Sequence, residues 1–154
     1  MSPWKKRMSQ ETVTGEIMAL AIIVTLEKEL PESAAYSKAA SGKALARELD
    51  RLDLAARTVK VTAIESMLSE SQAALIAQLK EEGFDPAKMR LPPEQWFAAS
   101  EGLKTVRGLS GHVAANLNNF KQPNPILRDL KAVETLLAAA DAAGARFHFT
   151  KTDL

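Results

Sequence analysis

The chain has 154 residues, 46% of them hydrophobic and 25% charged, which is the composition of a globular protein and not of a disordered one. Twenty basic and nineteen acidic side chains leave a formal charge of +1, which argues against a dedicated nucleic-acid binder drawing its affinity from counterion release. There are no cysteines, so disulfides, thiolate catalysis and cysteine-based zinc sites are excluded.

Residues 1–9 read as a flexible tail carrying Trp4 and the basic run Lys5-Lys6-Arg7, and residues 10–154 as one helical domain. A first helix is expected from about Gln10 to Leu30, stopped by Pro31. Its apolar run IMALAIIVTL is ten residues long, too short for the about 20 that span a bilayer. Glu27-Lys28-Glu29 stands where a signal peptide would show a small-residue cleavage site. The run is therefore expected at the centre of a bundle, in a cytoplasmic protein, with the periplasm as the alternative. Glu16 abuts it and is expected at the helix edge, facing water or a basic partner; buried unpaired, it would titrate abnormally.

From Lys43, the residues Leu45, Leu49, Leu52, Ala56, Val59 and Ala63 alternate spacings of four and three. TVKVTAI (58–64) resembles a strand, but the period runs through it and predicts helix. Asp53 and Arg57 are spaced to pair on the outer face. Ser69 and Gln72 have the spacing of a capping box, opening a helix that ends at Gly83, with Phe84 closing a Schellman terminus. Asp85-Pro86 predicts a cap and one further turn. Pro93 is expected to open a helix carrying Trp96 and Phe97.

Leu103, Val106, Ser110, Val113, Leu117 and Phe120 form the next stripe, interrupted by Gly108 and Gly111, which suits close helix approach or a kink. Asn124-Pro125 reads as a cap and first turn, and Gly144 as the stop of a last helix bearing Ile126, Leu130, Val133, Leu137 and Ala140. The fold expected is an all-α bundle of about five main helices with a short extended C-terminal segment.

Chemistry is sparse. No glycine-rich turn follows a strand, which closes the Rossmann and P-loop routes. Ser110 lies between Leu109 and Gly111 in a helical stripe, not at a strand-to-helix elbow. His112 and Asn116 share a helix face, with Asn119 nearby, but lack the spacing of a metal site. No cofactor is implied.

In GARFHFTKTDL, Phe147 and Phe149 alternate with Arg146, His148 and Thr150. The phenylalanines are expected to cover helices, and the intervening side chains to face solvent or a partner, so that His148→Ala would be nearly silent.

The function expected is a non-catalytic protein-binding module, of adaptor, inhibitor or toxin-neutralising immunity type, acting on a partner protein or a second copy through a helix face or the C-terminal edge. The alternatives are a small-ligand binder or unadvertised enzyme with a polar inter-helix pocket, and a weak nucleic-acid binder. The candidate interaction or pocket residues are Trp4, Glu16, His112, Asn116, Arg146 and His148.

Overall fold

A computed structural model describes residues 20–70, 72–91 and 93–153. Among these the chain is mostly helical, and it also builds a two-stranded antiparallel sheet. The elements in order are β1 (Leu20–Leu26), α1 (Glu32–Ala39), α2 (Lys43–Arg47), α3 (Leu49–Val59), α4 (Gln72–Glu81), α5 (Ala99–Ala115), α6 (Pro123–Ala143) and β2 (Phe147–Asp153). The expected helical fold and extended C-terminal segment are thus found, with six helices among the described residues, and β1 adds a strand that the all-α reading lacked.

β1 replaces the second half of the expected first helix. Ile22, Ile23, Val24 and Thr25 are four consecutive β-branched residues, and such side chains fit a pleated, partly buried surface better than a helix. β1 pairs with β2 from Leu20 opposite Asp153 to Leu26 opposite Phe147. Both outer edges of the sheet are engaged by irregular chain. On one side Ile22 N–H donates to Gly42 O (3.0 Å) and Val24 N–H to the Tyr36 hydroxyl (2.9 Å). On the other, Ser69 N–H donates to Phe149 O (2.9 Å), and Phe97 and Phe147 exchange two backbone bonds (2.7 and 2.9 Å). Bonding of this kind satisfies backbone groups that a bare edge would expose.

Burial pushes the Tyr36 hydroxyl up to about 12, with the Val24 amide opposing the rise and the Asp129 charge adding to it. The folded value lies above the unfolded one, so this stabilisation is complete below pH ~10 and is lost as pH rises through the folded value. Tyr36→Phe is expected to cost about 1–2 kcal/mol at pH 7, the cost of orphaning a buried amide, and to flatten the alkaline limb of stability between pH 10 and 12. Denaturant titrations across that range, with a limb as steep as the parent's, would contradict the assignment.

α5 and α6 form the principal helix pair; α3 packs on α5, and α1 and α2 on α6. The core they share with the sheet includes Leu52, Val106, Leu109, Leu130, Leu137, Phe147 and Phe149, all essentially inaccessible. Gly108 allows the end of α3 to approach: a Cβ there would meet Val61 Cγ1 at 3.1 Å and Val59 Cγ2 at 3.3 Å. Gly111 faces open space.

Three further expectations change. The helical period does not run through TVKVTAI: α3 ends at Val59, and Lys60 takes a left-handed conformation (φ 63°). Val61 N–H then closes on Ala56 O (2.9 Å) and Thr105 Oγ1 donates to Thr62 O (2.7 Å), so tertiary bonds hold the exit. The segment after Pro93 is extended, because Phe97 bonds to Phe147, and α5 starts only at Ala99. Gln95 N–H of this extended segment donates to the Ser69 hydroxyl (2.9 Å). Finally, α6 begins at Pro123, one turn residue before the expected cap. The Schellman end of α4 (Phe84 N–H to Leu79 O, 2.9 Å), the Asp85 cap on Ala87 N–H (3.1 Å) and the Gly144 stop are as the sequence predicts.

Candidate functional site

Of the candidate residues, Trp4 and Glu16 lie outside the described residues. His112 and Asn116 are brought together, but by a structural bond. The Asn116 amide donates to His112 O (2.9 Å) at the end of α5, and the imidazole stands edge-on to Phe120 at 6.4 Å. Ser110 sits inside α5. Arg146, expected to face solvent or a partner, is exposed yet forks onto Glu27, with Nε to Oε1 at 3.2 Å and Nη2 to Oε2 at 2.5 Å. This ion pair holds Glu27 below the usual carboxylate range and raises Arg146.

His148 is the main correction. It was expected on the outer side of an extended tail, and instead is fully buried. Its Nε2 lies 2.7 Å from Glu94 Oε2, and its Nδ1 lies 3.2 Å from both Phe149 O and Thr150 Oγ1. Thr150 Oγ1 is in turn 2.7 Å from Thr25 Oγ1, and the Trp96 ring centre is 4.7 Å from the imidazole. The order hydroxyl, imidazole, carboxylate is that of an activated nucleophile, and it places Glu94 where the sequence shows no partner. With no exposed surface on His148, however, the array serves as a clasp, fastening the extended segment 93–97 over β2. His148→Ala is therefore expected to cost about 2–3 kcal/mol, from a cavity and a lost bond to a charged group. Glu94→Gln, which keeps an acceptor, is expected to cost much less. Equal denaturation midpoints for parent and His148→Ala would refute the clasp.

One buried carboxylate belongs to Asp129. It sits in phase with Ile126 and Val133 on the apolar stripe of α6 and is 1% exposed. From there its Oδ1 accepts from the Ser41 amide (3.3 Å), with the Gly42 and Ala44 amides close by, while its buried Oδ2 has no hydrogen-bond partner among the described residues. Burial pushes its carboxyl up, against the pull of those amides and of Arg128. Its phase with the stripe was the readable signal. A second acid, Asp53, was expected to pair with Arg57; it stands instead beside the Glu65 and Ile64 backbone, and its buried Oδ1 has no hydrogen-bond partner among the described residues. Burial chiefly, and then the Glu65 carboxyl, raise it.

The most open feature is the excursion between Ser69 and Gln95. Its two roots meet at the Ser69 hydroxyl, and between them run α4 and the helical turn Pro86–Lys88. The principal neighbour of α4 among the described elements is that turn. Leu75, Ile76 and Leu79 are only half-buried, while Phe84 is 53% and Met89 42% exposed. Lys80, Glu81, Glu82, Lys88 and Arg90 surround them with charges of both signs.

Among the described residues no group of three or more His, Asp or Glu could hold a metal ion, and no helix is long and apolar enough to cross a membrane. No known family model, curated protein or solved structure matches the chain.

Proposed function

We propose that this chain is a non-catalytic protein-binding module that engages its partner through the α4 arm. The observation that carries this reading is the apolar set Leu75, Ile76, Leu79, Phe84 and Met89, left half-buried or exposed on an excursion whose roots meet at the Ser69 hydroxyl. An apolar set of this kind suits an apolar groove on another polypeptide, where anchors at three- and four-residue spacing fill successive pockets. The mixed charges around it favour a protein over a polyanion, which would call for a surface of one sign. The engaged sheet edges favour a helix face over strand addition.

Ile76→Glu and Leu79→Glu test this. Both side chains are half-exposed, so each variant is expected to keep the parent's circular dichroism and to melt within a few degrees of it. Each is expected to abolish capture of the partner from the native host, with light scattering on the purified chain reporting whether that partner is a second copy. Retention of the same captured protein by both variants, or no capture by the parent, would overturn the proposal.

A further inference from the structure

A separate cleft of about 430 Å³ opens between the α2–α3 junction and the chain entering α6, lined by Arg47, Glu48, Asp50, Arg51, Lys121 and Gln122. Arg47 and Arg51 stand on one wall and Lys121 on the other. Neither guanidinium hangs loose. Arg47 Nη1 donates to Gln122 Oε1 (3.3 Å), and Arg51 Nη1 donates to Asn119 O (3.2 Å) while lying 3.6 Å from Glu48 Oε1. A guanidinium carries five N–H donors in a rigid fork, so anchoring through one nitrogen fixes its direction and leaves other donors for a ligand.

Glu48, the acid beside Arg51, is shared with two backbone donors. Glu48 has a side chain only 5% exposed, and its two oxygens accept from the backbone amides of Lys121 (2.7 Å) and Gln122 (3.0 Å). With Asp50 the lining carries two carboxylates against three cations, a surplus of one positive charge. The buried Glu48 also fixes the distance between the walls, because it belongs to one and bonds the other. The cleft is thus a braced, cationic opening. Phosphate oxygens suit it better than a single carboxylate, since a forked guanidinium matches two of them at once and several cations can share a multivalent charge.

We propose that this cleft binds a di- or polyphosphate anion, held by the Arg47 and Arg51 guanidinia on one side and the Lys121 ammonium on the other. The source of that anion is either free pyrophosphate or the phosphate tail of a nucleotide.

Calorimetric titration of the full chain with pyrophosphate, ADP and adenosine at low salt tests it. Pyrophosphate is expected to bind with a millimolar or tighter Kd that weakens with added salt, and adenosine to give no heat. Equal affinities for pyrophosphate and ADP identify the anion alone as the ligand, whereas tighter ADP identifies a nucleotide. Arg47→Ala and Lys121→Ala, both at exposed positions, are each expected to weaken binding about tenfold with an unchanged melting temperature in the absence of ligand. Lys88→Ala, on the arm, is expected to bind as the parent does. Absence of pyrophosphate heat at about 10 mM, undiminished binding by both cleft variants, or equal binding of sulfate would overturn the proposal.

Discussion

Phe147→Ala is expected to lower the free energy of unfolding by about 3–5 kcal/mol, the range for truncating a fully buried phenylalanine. The ring has no accessible surface and meets Phe149 edge-on at 5.2 Å and Phe97 at 6.4 Å. α5 is shaped around it. A Cβ on Gly102 would lie 2.5 Å from Phe147 Cζ, so the glycine leaves the space that the ring occupies. Phe149 is equally buried, and the double alanine variant would remove a large share of the ~5–15 kcal/mol that holds a domain folded. Urea denaturation measures this directly. A midpoint unchanged in the double variant would mean that β2 is not integral to the core.

The second large effect belongs to Gly42. Its φ is +75°, and a Cβ would lie 2.3 Å from Ile22 O, a backbone atom in the strand. That oxygen cannot swing aside as a side chain could, because Ile22 N–H is bonded to Gly42 O and β1 to β2. Gly42→Ala is expected to cost more than about 4 kcal/mol, in the exceptional range for single substitutions. Gly83 and Gly144 also have positive φ but have open space where a Cβ would go. Alanine at either should cost only the conformational penalty of about 1–2 kcal/mol. Comparing the three denaturation midpoints separates strain from collision. Equal losses at all three would show that contact with Ile22 adds nothing.

What the sequence made legible was punctuation. Gly83, Asp85-Pro86 and Gly144 act locally, through backbone angles and caps, and each does what its residue type predicts. The four-and-three spacing also placed Leu45, Leu49, Leu52 and Ala56 in the core. It misled where an extended segment is chosen by distant partners. Ile22 to Thr25 form a strand because β2 lies beside them, and Thr25 and Thr150 meet across 125 positions of chain. Pro93 to Ala98 stay extended because Phe97 bonds Phe147. Both segments are apolar enough to suit a helix, and no local pattern reports the partner. The same reason hid Glu94: two residues from Trp96, it reads as an ordinary acid until the fold brings His148 to it. The cationic cleft was equally silent, since Arg47, Arg51 and Lys121 are ordinary surface residues in sequence and converge only in space.

The roots of the α4 excursion carry an architectural consequence. Gln95 N–H and the Ser69 hydroxyl are 2.9 Å apart, and each root is separately fastened to β2 through Phe149 and Phe147. Everything between them leaves and re-enters the body at nearly one point. The excursion is therefore a cassette: residues 70–93 can be lengthened, exchanged or trimmed to a short link without altering the distance that the surrounding chain must bridge. Loop length adds little to closure cost once the ends are fixed. The tip of such a cassette can change while the core, with Gly42, Gly102 and Phe147 at its tightest contacts, stays under constant packing constraint.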